Sequence, residues 1–78
     1  MTAKQIVIAQ IAEFRDSEME LINAKSKTLN AVSTAGIPAT IVAKIRNVIE
    51  AHYKPYFDGL ENKIEAAEEI LAEIEEAE

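Results

Sequence analysis

The chain contains one histidine and no cysteine, so its capacity for catalysis depends on His52 alone. A nucleophilic triad needs Ser, Thr or Cys, a histidine base within hydrogen-bonding distance and a third group that orients the base. His52 lies between Ile49 and Tyr56 on an apolar helical line, which is typical of a partly buried structural histidine. Because no acid and base can be paired around it, we expect that the protein is not an enzyme.

A metal site or a cofactor site is not predicted either. Helical di-metal carboxylate sites use Glu-x-x-His pairs from facing helices, but the residue three positions before His52 is Ile49. Four C-terminal glutamates could supply oxygen ligands, yet they lie opposite the apolar positions of their helix, as in a solvated face. They are Glu65, Glu68, Glu69 and Glu73. Gly36 and Gly59 are too far apart to form a phosphate-binding loop, and we expect no cofactor.

Three of the four aromatic residues fall within the short segment 52–57. Aromatic rings bring a large contact area at little cost in entropy, so such a group forms either a part of the core or a recognition surface. Packing into the core is the commoner outcome, and the sequence leaves both open. The candidate recognition patch consists of His52, Tyr53, Tyr56 and Phe57.

The segment 29–45 resembles the helix-turn-helix motif of DNA-binding proteins. Gly36 takes the position of the tight turn, and Ile37, Val42 and Ile45 fall at the offsets that such motifs bury. On this interpretation the second helix would read DNA. The candidate DNA contacts are Thr40, Lys44, Arg46 and Asn47.

The charge pattern around this segment is compatible with DNA but does not demand it. No acidic residue occurs between Glu20 and Glu50, which permits contact with phosphates. However, Val32 replaces the alanine expected in the first helix, and the basic residues are few. A plain turn between two helices, made by Gly36 and Pro38, explains the same residues.

The elements that carry these residues are predicted from periodicity and from helix-end signals. Thr2 can cap a first helix over 3–33, and a turn over 34–37 follows because Gly36 can adopt the left-handed conformation that ends a helix. Pro38 suits the first turn of the next helix. So short a connection makes neighbouring helices antiparallel.

One apolar stripe is predicted for the first helix from its helical spacing. It consists of Ile8, Ile11, Met19, Ile22 and Leu29, widened by Val7, Phe14 and Leu21.

The sequence after Pro38 gives two conflicting signals. Apolar residues recur at a mean spacing of about 3.67, close to that of a straight helix, which favours one continuous helix over 38–77. Pro55 and Gly59 argue against it, since proline lacks an N–H and clashes with the carbonyl four residues before it. We favour interruption. The predicted elements are a helix over 38–53, a kink or break over 54–58 and an acidic helix over 59–77.

The C-terminal helix carries the clearest pattern in the chain. Its apolar residues alternate steps of four and three positions, as in a coiled coil, and its other faces are acidic. So narrow a seam cannot form a core alone and must be covered by the rest of the chain or by another copy. The candidate oligomer or partner seam consists of Leu60, Ile64, Ala67, Leu71 and Ile74.

The composition describes one small domain of 78 residues with a net charge of −6. Residues 1–54 include seven basic and five acidic residues, whereas residues 55–78 include one basic and nine acidic residues. A chain of this size has a marginal core, and oligomerisation is a common remedy. No export or membrane-spanning segment is visible, so we expect a cytoplasmic protein that does not bind membranes.

These patterns predict an all-α fold, either an antiparallel helical hairpin or a three-helix arrangement, with an amphipathic, coiled-coil-like acidic C-terminal helix and an oligomeric state. The predicted function is a non-enzymatic protein–protein interaction module, of the adapter, assembly-factor or inhibitor type, that binds itself and another protein. One alternative is a small helix-turn-helix DNA-binding protein that dimerises through its C-terminal helix. A further alternative is an acidic nucleic-acid mimic that blocks a partner protein.

Overall fold

The first helix begins at a capping box. In the computed structural model, which describes residues 1–77, the Thr2 hydroxyl accepts a hydrogen bond from the Gln5 N–H at 3.2 Å. The Gln5 side-chain oxygen in turn accepts one from the Thr2 N–H at 3.0 Å. Two N–H groups at the start of the helix thereby gain partners, and helix α1 extends from Ala3 to Thr34.

A short turn over residues 35–38 reverses the chain between α1 and helix α2, which extends from Ala39 to Ala77. Gly36 has a φ of 69°, the only positive value among residues 1–77. Glycine adopts this left-handed conformation readily because it has no Cβ. The Pro38 carbonyl accepts hydrogen bonds from the N–H groups of Ile41 and Val42, both at 3.0 Å, and these bonds start α2.

The two helices lie side by side and antiparallel. Near the chain ends Lys4 pairs with Glu75 at 3.7 Å, and further along the hairpin Arg15 pairs with Glu68 at 2.9 Å. The result is a rod of 59 × 17 × 12 Å. Residues 1–77 contain no strand, which confirms the all-α prediction, and neither helix in this range has an apolar stretch long enough to cross a bilayer.

Helix α2 passes through Pro55 without interruption, so the predicted break over 54–58 and the three-helix alternative are wrong. A straight helix of 39 residues is about 58 Å long, close to the 59 Å length of the rod. Pro55 removes the hydrogen bond to the Ala51 carbonyl. Both residues are exposed, so water can bind this carbonyl, and the packing of α2 against α1 helps to keep the helix continuous.

The contact between the helices follows a seam with steps of three and four residues, the spacing typical of long helices that touch along their whole length. The seam side chains of α1 are at least half-buried, and they include two charged residues near the middle. They are Lys4, Val7, Ile11, Phe14, Glu18, Leu21, Lys25, Leu29 and Val32.

The predicted apolar stripe of α1 is partly wrong. Ile8, Met19 and Ile22 are 48%, 59% and 42% exposed, because they lie to one side of the seam. Glu18 and Lys25 occupy the seam positions instead, and the aliphatic parts of their side chains pack there. A prediction based on apolar residues alone misses these two charged positions and assigns the apolar residues near them, Met19 and Ile22, to the seam.

Two isoleucines three positions apart test this assignment. We expect Ile11→Ala to lower the free energy of unfolding by ~2 kcal/mol, because Ile11 lies in the seam. Ile8→Ala should change it by about 0.5 kcal/mol or less, because Ile8 is exposed. Urea denaturation followed by circular dichroism, at one fixed protein concentration, measures both. Equal losses would contradict the seam described above.

The continuity of α2 predicts the effect of Pro55→Ala. This change restores the hydrogen bond to the Ala51 carbonyl and should raise the free energy of unfolding by up to about 3 kcal/mol. Ala51→Gly, at a neighbouring exposed position, serves as the control and should lower it by about 1 kcal/mol. If Pro55 stood at the start of a separate helix in solution, Pro55→Ala would bring no gain.

Candidate interaction surfaces

The predicted C-terminal seam is occupied within the chain. Ile64 and Ala67 are 8% and 6% exposed, and Leu60, Leu71 and Ile74 are half-buried at the contact with α1. The assignment of this seam to another copy or to a partner is therefore corrected. The hairpin brings the apolar side of α1 alongside it, and contacts between molecules have to use other residues.

The aromatic segment is divided between two sides of α2. Tyr53 and Phe57 are half-buried, and the Lys25 ammonium lies 5.7 Å from the centre of the Phe57 ring, within the range of a cation–π contact. His52 and Tyr56 are exposed, and their ring centres lie 5.7 Å apart in an edge arrangement. The His52 ring also lies 5.2 Å from the Tyr53 ring, so three of the four predicted residues stay in ring contact, although only His52 and Tyr56 are exposed.

The candidate DNA contacts lie on α2 close to the turn. All four are exposed: Thr40, Lys44, Arg46 and Asn47. The Arg46 guanidinium donates a hydrogen bond to the Ser33 hydroxyl at 2.9 Å, which ties it to α1. The helices of a helix-turn-helix cross at roughly 90–120°, whereas here they lie antiparallel in a rod 17 Å wide. The geometry therefore does not match that motif.

The hairpin leaves an unusual amount of surface in water. Among residues 1–77 only Val7, Ile64 and Ala67 are buried. The accessible surface is 5819 Å², whereas a compact chain of 8.6 kDa exposes about 4,700 Å². The excess is about 1,100 Å². Large apolar side chains contribute to it. Those along the helices are Ile6, Ile8, Met19, Ile22, Ile41, Val48, Tyr56 and Ile70.

One side of the hairpin is crossed by the two ion pairs between the helices, and we call it the ion-pair face. At about 100° per residue, Ile8 lies on the same side of the α1 seam as Arg15, which is seven positions later. The ion-pair face therefore mixes charges with apolar groups. Its exposed large apolar residues are Ile8, Met19 and Ile22.

The opposite side carries more of the exposed apolar residues, and we call it the apolar face. On α1, Ile6 precedes the seam residue Val7 and Ile8 follows it, so these isoleucines point to opposite faces. On α2, the exposed apolar residues recur after seven, eight and fourteen positions and keep one direction. The apolar face consists of Ile6, Ile41, Val48, Tyr56 and Ile70, which are 46%, 47%, 70%, 56% and 49% exposed.

A groove of about 380 Å³ lies near the middle of the apolar face. A Cβ placed on Gly59 would meet no atom within 4 Å, so the helix surface has open space at this point. The groove is lined by Leu21, Pro55, Tyr56, Gly59, Leu60 and Lys63.

Charge is separated along the rod. The turn half, residues 21–57, contains five basic residues and one acidic residue, a net charge of +4. The open half, residues 1–20 and 58–77, contains three basic and twelve acidic residues, a net charge of −9. Because the hairpin brings both chain ends together, the acidic residues of both helices collect at the end opposite the turn.

Within the described residues no group of three His, Asp or Glu side chains is arranged to hold a metal ion. Comparison with protein-family models, with curated proteins and with solved structures finds no match. Function is therefore inferred from the surfaces of this chain.

Proposed function

We propose that the protein is a non-enzymatic helical interaction module, which assembles with itself and binds another protein as an adapter, assembly factor or inhibitor. The observation that carries this proposal is the apolar face, whose five large side chains remain about half exposed in the hairpin. Large apolar side chains that stay exposed along one face are expected where a protein contacts another protein. Covering it in an oligomer is the physical remedy for a small core.

Coiled-coil packing between the helices is part of this proposal. The alternation of three and four positions along both seams supports it, as does the contact over the full length of the rod. A cytoplasmic location stays a prediction from the sequence.

The two faces suit different roles. The apolar face carries five of the exposed large apolar side chains and can be covered by another copy, whereas the ion-pair face carries three of them among the two ion pairs, a composition closer to transient interfaces. We therefore assign the apolar face to self-assembly and the ion-pair face to a second protein. The small apolar patch of Ile8, Met19 and Ile22 is its expected centre.

The acidic open half supports a second candidate function, the mimicry of nucleic acid. Twelve acidic residues in this half give a net charge of −9 on a narrow rod, a field that attracts basic surfaces. The DNA-binding alternative has no comparable support, since the helices lack the crossing of a helix-turn-helix.

Self-assembly predicts a solution mass above the 8.6 kDa of one chain and a melting temperature that rises with protein concentration. Light scattering coupled to size-exclusion chromatography measures the mass, and circular dichroism at several concentrations measures the melting temperature. A cooperatively folded monomer at every concentration would remove the basis of the proposal.

A matched pair of charge insertions separates the two faces. Tyr56→Glu, on the apolar face, should give a monomer, because a carboxylate is costly to bury without a partner. Met19→Glu, at a similarly exposed position on the ion-pair face, should leave the mass unchanged. If both variants retain the wild-type mass, the apolar face is not the assembly surface.

Mimicry predicts that duplex DNA competes with this protein for whatever basic protein it retains from a host lysate. A triple variant with Glu65→Gln, Glu69→Gln and Glu73→Gln should lose that retention, because these exposed carboxylates carry the field. None of the three substituted residues takes part in an ion pair between the helices, so we expect the variant to fold like the wild type and to differ from it only in charge. Retention that is insensitive to both DNA and the substitutions would exclude mimicry.

A further inference from the structure

The apolar residues and the charges along the hairpin favour one relative orientation of two copies. This inference rests on the self-assembly proposed above and specifies its geometry. We infer that two hairpins pair through the apolar face as a two-fold dimer, with the turn of one hairpin beside the open end of the other, to give a four-helix bundle.

The positions of the apolar residues along the rod are the first support. Measured from Ala39, the levels of Ile41, Val48, Tyr56 and Ile70 are about 3, 14, 26 and 47 Å. Since Lys4 pairs with Glu75, Ile6 on α1 lies at a level of about 51 Å. Large apolar groups therefore stand near both ends of the face and near its middle.

A two-fold axis across the middle of the rod pairs these levels. This operation stacks α2 on α2 of the other copy, so Val48 of one copy meets Ile70 of the other and Tyr56 lies beside the axis. It also brings Ile41 to the level of Ile6 on the neighbouring α1 of the other copy. The centres of the three pairs agree to within about 5 Å and fall near residue 57, the middle of α2. In a dimer with both turns at one end, each residue would stay at the level of its own equivalent and α2 would pack against α1 of the other copy, so Val48 and Ile70 would not meet.

The charge distribution favours the same orientation. With turns at opposite ends, the +4 turn half of each hairpin lies beside the −9 open half of the other. With turns at the same end, the two −9 halves would face each other across neighbouring helices, which lie about 8–10 Å apart. This distance is close to the Debye length at physiological salt, so the repulsion is only partly screened.

The buried area is sufficient for two copies. Each hairpin exposes about 1,100 Å² more than a compact chain of its mass, so pairing two of them can bury about 2,200 Å². Obligate homodimers begin at about 2,000 Å². Pairing with one other copy can therefore cover the excess accessible surface of each hairpin, and a third copy is not needed.

The groove at the centre of the apolar face explains how the copies fit. With the axis near residue 57, Tyr56 of one copy comes to the level of Gly59 of the other. Gly59 has open space where a Cβ would be, so the phenol ring of the second copy can lie against the α2 backbone there. A glycine inside a helix costs about 1 kcal/mol relative to alanine, and this contact gives Gly59 a function.

Disulfide trapping tests the orientation, because the natural chain has no cysteine. Val48→Cys and Ile70→Cys are made as separate variants and oxidised with glutathione disulfide, alone and as an equal mixture. The two positions lie about 33 Å apart along α2, and a disulfide requires Cα atoms within about 7 Å. We expect the mixture to give the mixed dimer and each variant alone to give none.

The same experiment distinguishes the failures. Dimers from each variant alone would overturn the antiparallel orientation while keeping self-assembly. No disulfide in any sample from a protein of dimeric mass would overturn the antiparallel pairing of the two α2 helices. A monomeric mass for the wild type would overturn self-assembly itself. Met19→Cys, on the ion-pair face, is the control and should give no dimer.

Substitution at Gly59 tests the central contact. Gly59→Leu replaces the poorest helix former after proline and raises the helix propensity of α2, but it fills the space assigned to Tyr56 of the second copy. We expect loss of the dimeric mass with helix content retained. Ala72→Leu, at an exposed position of α2 away from the apolar face, is the control and should keep the dimer. A dimer in Gly59→Leu as tight as that of the wild type would contradict the contact.

Discussion

One neighbouring helix can cover only part of the apolar surface of α2, and the rest of the structure depends on this constraint. The apolar positions of α2 form two adjacent stripes, the seam that faces α1 and the α2 part of the apolar face. Helix α1 covers only the first, and its own seam includes Glu18 and Lys25. Two helices therefore bury very few side chains completely, and the second stripe stays exposed in the hairpin.

The hairpin also converts a pattern along the sequence into a pattern in space. The acid-free window between Glu20 and Glu50 surrounds the turn, while the acidic residues of both chain ends meet at the other end of the rod. The ion pairs Lys4–Glu75 and Arg15–Glu68 lie in that acidic half. Such exposed pairs contribute little, so most of the repulsion there remains and favours a basic neighbour.

Much of this fold is predictable from local signals, and the errors have one cause. The Thr2 cap, the Gly36 conformation and the Pro38 start involve only neighbouring residues, so the sequence specifies them directly. The continuity of α2 through Pro55 depends on contacts with α1, which outweigh the local preference for a break. The spacing of the C-terminal seam is also a local signal, so the sequence predicts the seam itself. The helix that covers the seam depends on the fold, and the sequence could not identify it.

The least favourable helix positions of α2 occur together, and their location bears on function. Pro55 and Gly59 flank Tyr56, and together they reduce helix stability by about 4 kcal/mol relative to alanine, a large fraction of the stability of a small domain. Within the chain, Phe57 and Leu60 pack against α1 and offset part of this cost. Nothing in the hairpin fills the space over Gly59. A departure from helix propensity at the centre of an exposed apolar face is expected where an intermolecular contact, rather than the fold of one chain, selects the residues.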